Sequence, residues 1–394
     1  MNVTEAVLAL NAGSSSLKFG LFERPTGGCD PLTLAVGSLQ ARGSEAPQFR
    51  VTSAGGAIMA DEYWTGGDQH GSVMRLVEWV ETHFGHTRLA AVGHRVVHGG
   101  ATFSDPVVID DANLAGLDAL TPLAPLHQPR SLAPVRQIRA SRPRLPQVAC
   151  FDTAFHHNIQ PPASRYALPR SLEAEGVRRY GFHGLSYESI AAQLKAERDQ
   201  VAMEPGSRII VAHLGNGASL CAMRGLNSVD TTMGFSTLDG LVMGTRPGSV
   251  DPGILLYLLQ EKSFSVARLE QLLYHESGLL GVSGISPDVA VLLASDVPAA
   301  AEALDIFAFQ VARQTAALVA TLGGLDRFIF TGGIGENSPA VRRMIADRIE
   351  WMGAELDEGA NQSGVTGIST ATSSISLERR STQEELMIAR HVFS

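Results

Sequence analysis

Cysteine, positive charge and long apolar runs are all scarce in this 394-residue chain, and each scarcity removes a class of answer. Its three cysteines, Cys29, Cys150 and Cys221, lie far apart with no CxxC spacing. That pattern suits reduced thiols in a cytoplasmic protein and speaks against a disulfide framework. Lysines and arginines number 31 against 40 aspartates and glutamates, a net charge of -9, so neither nucleic acid nor an anionic membrane is expected as a partner. The one basic cluster, Arg136, Arg139, Arg142 and Arg144, sits where a helix ends at Pro143 and reads as a solvated helix end. No apolar stretch approaches the roughly 20 residues of a membrane span. The first residues carry Glu5 and a short apolar run without a basic n-region, so no secretory leader is expected. The histidines His94, His98, His127, His156, His157, His183 and His213 do not group with cysteines in a zinc-ligand pattern. The GxxxxGK[ST] phosphate loop is missing, and no glycine turn reads GxGxxG, which excludes a Rossmann dinucleotide site.

What the chain has is glycine in particular places. Its 40 glycines repeatedly close strand-like runs: Val7–Leu10 before Asn11-Ala12-Gly13, Ile209–Ala212 before Gly215-Asn216-Gly217, and Phe328–Phe330 before Gly332-Gly333. A strand followed by a glycine turn and polar side chains brings backbone amides close to phosphates. The segments Asn11–Leu17 and Leu214–Leu220 both end in Ser-Leu and run into a second strand-like segment, which predicts a duplicated domain whose copies each open with a hairpin. Between these lie helical patterns: Val73, Leu76, Val77 and Val80 share a face after Gly71-Ser72. Leu304, Phe307, Ala308, Val311, Leu318 and Leu322 mark a long, largely buried helix, and Ser338-Pro339 opens another. Strands alternating with helices give an α/β class with mixed sheets. The length calls for two domains, and the break is placed at Asp152.

The segment Asn11-Ala12-Gly13-Ser14-Ser15-Ser16-Leu17-Lys18-Phe19 offers hydroxyls, a carboxamide and a lysine on one hairpin. Alone it is read equally well as a polar turn or as a phosphate site. It is followed in order by Gly93–Gly100, Phe151–His156, Tyr180–Gly184, His213–Ser219, Met243–Arg246, Thr331–Asn337 and Thr382–Glu385. Together these segments closely resemble the acetate kinase family, with its propionate-acting relatives, from residue 7 to 390.

The resemblance implies two ribonuclease-H-like, actin-like ATPase domains with mixed sheets and a nucleotide cleft between them. The expected domains are 1–151 with 383–394, the last helix returning to the first domain, and 152–382. It implies Mg²⁺-dependent, reversible phosphoryl transfer from ATP to acetate, giving acetyl phosphate and ADP, with Mn²⁺ as an alternative ion and a homodimer as the assembly. Propionate or another short fatty acid is the alternative substrate. An actin- or chaperone-like ATPase is the distant rival, with no use for Arg95 and Arg246.

By the same resemblance Asp152, His183 and Arg246 are catalytic, and Arg95, Val97, Leu126, Phe182 and Thr237 bind the acyl substrate. The nucleotide site comprises Lys18, His213, Leu214, Gly215, Asn216, Gly217, Asp288, Gly332, Gly333, Ile334, Gly335 and Glu336, and Asn11 and Glu384 are the metal ligands. Chemistry agrees for the arginines, since guanidinium holds carboxylate and phosphoryl oxygens bidentately, although a structural ion pair is the competing reading. Glu384 also reads as a first-turn acid of a helix, and core packing accounts equally for Val97, Leu126 and Phe182. Four positions depart from the family pattern: Thr237 replaces a common proline, Ala290 a common arginine, Ala101 a frequent acid and Gln128 an asparagine.

Overall fold

The computed structural model describes residues 4–13, 16–24, 30–40, 46–64, 69–85 and 87–394, the side chains of Gln69 and His70 excepted. Ser14 and Ser15 of the first glycine turn, and Cys29, lie outside the described residues. The chain forms two units, Met1–Ala154 with Gln383–Ser394, and Phe155–Thr382.

The first unit carries β1 (Thr4–Ala12), β2 (Ser16–Glu23), β3 (Leu32–Gln40), β4 (Gln48–Ser53), β5 (Ile58–Tyr63), β6 (Thr87–Val96), β7 (Val107–Val108) and β8 (Gln147–Phe151). They form one sheet in the order β5-β4-β3-β2-β1-β6-β8-β7. The second unit carries β9 (Ile209–Leu214), β10 (Ala218–Arg224), β11 (Asn227–Thr231), β12 (Arg327–Thr331) and β13 (Ser376–Arg379), ordered β11-β10-β9-β12-β13.

The core strand order is the same in both. In β3-β2-β1-β6-β8 the first two pairings are antiparallel and the last two parallel. The second sheet repeats that pattern step for step. The duplication suggested by the two glycine turns is therefore present as topology. β1 is buried from Ala6 to Asn11 without alternation, as a strand covered on both faces should be.

Val73, Leu76, Val77 and Val80 are all buried on the helix Gln69–His83. It starts two residues ahead of Gly71-Ser72, so those two residues lie inside the helix instead of in front of it. The helix Pro298–Leu322 buries Leu304, Phe307, Ala308, Val311, Leu318 and Leu322, and Ser338 caps the helix Pro339–Ile349 through the amide of Val341. In the helix Glu384–Phe393 the buried residues are Met387, Ile388 and Ala389. It lies so close to β6 that a Cβ on Gly93 would stand 2.3 Å from Ile388 Cγ2, a contact only glycine permits. The unit boundary falls after Ala154 rather than before Asp152. The cause is local: Asp152 bonds Arg95 of β6, and Thr153 Oγ1 accepts from the Gly99 amide.

Candidate active site

In the first unit the candidate residues meet at the carboxyl ends of three parallel strands. Asn11 and Arg95 are the penultimate residues of β1 and β6, and Asp152 directly follows β8. Arg95 Nε donates to Asp152 Oδ1 and Oδ2 at 2.9 and 3.0 Å, and Arg95 Nη1 donates to Asn11 Oδ1 at 3.2 Å. Asn11 Nδ2 in turn donates to Glu384 Oε2 at 2.8 Å and to Glu385 Oε1 at 3.0 Å. One hydrogen-bonded chain thus joins Asp152, Arg95, Asn11 and two carboxylates. Burial alone would weaken the Arg95 cation, but the Asp152 charge, with Glu384 and Glu385 beyond it, holds it more firmly protonated than a free guanidinium.

Glu385 is the residue that reading the sequence missed. Its carboxyl is pushed above the usual carboxylate range by burial and then by the neighbouring charge of Glu384. Two adjacent carboxylates are oxygen donors of the kind that a hard divalent cation takes, while Asn11 turns its amide nitrogen toward them and its oxygen toward Arg95. Among the described residues no three His, Cys, Asp or Glu side chains gather as a metal cage, so phosphate and water would complete such a shell. Lys18 pairs with Asn11 across the hairpin, its side chain exposed. Val97 is buried and Leu126 partly exposed. The intervening His98 backbone is latched by Gln128, which accepts from its amide at 3.2 Å and donates to its carbonyl at 3.1 Å.

In the second unit, the turn between β9 and β10 lies beside the one that follows β12. The parallel pairing of these strands sets Thr331 opposite His213. A Cβ on Gly332 would strike the Leu214 backbone at 2.7 Å, so the two turns are stacked. Gly333 is exposed, and the Gly215 amide closes its turn on the Gly217 carbonyl at 3.0 Å.

Above Gly217 two polar side chains converge. A Cβ added there would lie 3.0 Å from Arg246 Nη2 and 3.2 Å from His183 Nε2. Arg246 is aimed by a bond from Nη1 to the Thr237 carbonyl at 2.8 Å. His183 precedes the helix Gly184–Ala196 with φ 60, and its ring stacks on His213 at 4.4 Å. His156 props this corner, with Nδ1 2.7 Å from Ser228 Oγ and Nε2 3.0 Å from the Phe182 carbonyl. Burial pushes the His156 imidazole down to about 4, so it is neutral near pH 7.

Four expected site residues have internal partners. Glu336 accepts from the amides of Gly332 and Thr382, each at 3.1 Å. Asp288 caps Ala290 at 2.8 Å. Phe182 is buried and its carbonyl meets His156 Nε2, and Thr237 turns its carbonyl to Arg246. Ile334 and Gly335 lie within the short helix Gly332–Asn337, whose carbonyls at Gly335 and Glu336 are held by the fully buried Arg342.

Comparison with known proteins gives a consistent answer. The model of the acetokinase family matches residues 6–390. An acetate kinase of Rhodopseudomonas palustris is 49% identical, the match covering 99% of this chain and 98% of that one. Among solved structures, a propionate kinase from Francisella tularensis superimposes with a TM-score of 0.88 at 35% identity, covering 98% of both chains. The Porphyromonas gingivalis acetate kinase gives 0.81 at 34% identity and the same coverage.

Proposed function

The chain belongs to the acetokinase family, and from that premise we propose that it transfers the γ-phosphoryl group of ATP reversibly to acetate, forming acetyl phosphate and ADP. The observation that carries the reading is the convergence of Arg246 Nη2 and His183 Nε2 over Gly217. Phosphoryl transfer proceeds through a loose transition state with charge on its equatorial oxygens, so fixed donors and cations do most of the catalytic work. Arg246 and His183 are the proposed donors to those oxygens. Arg95 is the proposed holder of the acetate carboxylate, which its guanidinium can grip with two parallel N–H groups.

No general base is required. A carboxylate of pKa near 4 is already ionised at pH 7. The role assigned to Asp152 is therefore to fix Arg95, which it does through the fork described above. Mg²⁺, or Mn²⁺ in its place, would be held by Asn11, Glu384 and Glu385 and would supply positive charge to the phosphate oxygens. Lys18 and the glycine turns at 215–217 and 332–335 are proposed to meet the nucleotide phosphates. Glu336 and Asp288 act there by shaping backbone, given the amides they bind.

A second copy of the chain is the proposed partner. The helix Pro252–Gln260 has no charged and no buried residue, and Ile254, Leu256 and Tyr257 are about half exposed. A two-fold contact on that face would place no like charges together. A cytoplasmic location goes with the proposal. Among the described residues no helix is long and apolar enough to cross a membrane.

Trapping the product with hydroxylamine tests the reaction. Acyl hydroxamate should form from ATP and acetate, with propionate within about 100-fold in kcat/KM, because one methylene in an apolar pocket discriminates no further. ATP hydrolysis without hydroxamate from acetate, propionate or butyrate would overturn the proposal.

A further inference from the structure

Behind His183 stand two buried hydroxyls that the proposed chemistry does not use. Ser219 Oγ lies 2.8 Å from His183 Nδ1 and 2.5 Å from the Tyr187 hydroxyl. Neither Ser219 nor Tyr187 has measurable exposure. The three groups form a row, Tyr187 to Ser219 to His183, whose far end, Nε2, reaches the space above Gly217 beside Arg246.

The protons along this row can be placed. Burial raises the Tyr187 hydroxyl well above the ordinary phenol range, so it keeps its proton. The hydroxyl meets Ser219 Oγ and the His213 backbone amide. An amide N–H only donates, which leaves Ser219 Oγ to accept the tyrosine proton. The Ser219 proton then has His183 Nδ1 as its acceptor, and that nitrogen must be unprotonated to receive it. A neutral imidazole carries a single N–H, so the proton sits on Nε2. The opposite order, with Nδ1–H donating to Ser219, would pass the Ser219 proton to the Tyr187 oxygen and leave the buried Tyr187 hydroxyl proton facing the His213 amide, itself a donor, an arrangement that native structures avoid.

We propose that Ser219 and Tyr187 are positioning residues that order these protons so that His183 presents Nε2–H, as a neutral donor, to the transferring phosphoryl group. The proposal rests on the phosphoryl-transfer reading for its purpose, but the tautomer itself is a property of the resting protein. A fixed tautomer gives a donor that needs no reorganisation when charge develops on the phosphoryl oxygens. It also adds no second full charge beside Arg246.

The test reads the tautomer directly. In the full-length chain carrying ¹⁵N-histidine, proton–nitrogen correlation spectra distinguish the two ring nitrogens, and His183→Gln assigns the His183 signals. The expected result is protonated Nε2 and bare Nδ1 near pH 7, without substrate. Ser219→Ala should turn His183 into a mixture of tautomers and lower kcat about tenfold, with KM for acid and nucleotide changed by less than about twofold, the size and pattern of a lost supporting bond. Tyr187→Phe should act in the same direction, the double variant should be no worse than Ser219→Ala, and Ser219→Thr, which keeps the hydroxyl, should restore both readouts. A proton on Nδ1 in the unaltered protein overturns the proposal even if the variants fail to fold. So does a Ser219→Ala protein with unchanged tautomer and kcat. A protein that shows the expected tautomer but makes no acyl phosphate would instead overturn the kinase reading alone.

Discussion

Arg95 and Asp152 form a buried two-pronged ion pair: Arg95 Nε reaches both carboxylate oxygens, Nη2 reaches Oδ2 at 2.5 Å, and the Asp152 side chain is 2% exposed. The carboxylate is thus engaged by a guanidinium and set to orient it.

Asp152→Asn should therefore act through Arg95. Removing one charge of a buried pair typically costs about 3–5 kcal/mol, and part of that should appear as a kcat/KM lowered by about 100-fold or more. The shape of the pH–rate profile should survive. Loss of its acidic limb in the mutant would mark Asp152 as a general base and contradict the assignment.

Gly217→Ala tests the convergence of His183 and Arg246. The added methyl would sit 3.0 to 3.2 Å from both side chains, tight enough to displace them slightly without unfolding the turn. Misplacement by about 1 Å can cost about 100-fold in rate, so kcat should fall by about tenfold or more while thermal stability changes little. An unchanged kcat would show that the two groups do not work together.

Glu385→Gln probes the second carboxylate at Asn11. The substitution removes a group whose ionised form is disfavoured by burial and by Glu384, so stability should hold or rise. The Mg²⁺ concentration for half-maximal activity should increase about tenfold, comparable with losing a supporting metal ligand. Equal Mg²⁺ dependence in the two proteins would confine metal binding to Asn11 and Glu384.

Acid should destabilise the fold through its buried histidines. His94, His98 and His156 are each lowered from 6.5 to about 4, chiefly by burial. As pH falls through 6.5 the unfolded chain binds protons there, while the folded chain does not until about pH 4. Stability is complete above 6.5 and is lost between those values, by about 2 kcal/mol per histidine at pH 5. The drop in thermal midpoint between pH 7 and pH 5 should be smaller in His156→Gln; an equal drop would assign the acid sensitivity to other groups.

Much of this arrangement was legible in the sequence because glycine turns and strand-like runs are local signals. The hairpins at Asn11 and Gly215, the buried faces of Val73–Val80 and Leu304–Leu322, and the Ser338 cap all depend on residues near one another in the chain. The partnership of Arg95 with Asp152 does not. It is set by the parallel register that places Arg95 opposite Cys150, and no residue-type pattern encodes that pairing. Glu385 was missed for a related reason, since consecutive residues on a helix point in different directions, and only the Asn11 amide lying between them brings both acids into use. Ser219 was inside a recognised segment, but its service to His183 depends on Tyr187, one helix away. Glu336 and Asp288 show the converse: acids within glycine-rich segments whose carboxylates are committed to backbone amides.

In the proposed reaction a carboxylate oxygen of acetate attacks the γ-phosphorus of ATP. Phosphorus NMR of acetyl phosphate made from ATP and acetate labelled with ¹⁸O in both oxygens tests this most directly. One ¹⁸O should be bonded to phosphorus in every product molecule, seen as an upfield-shifted resonance. Acetyl phosphate whose phosphorus carries no ¹⁸O, or ADP release without acetyl phosphate, would contradict it.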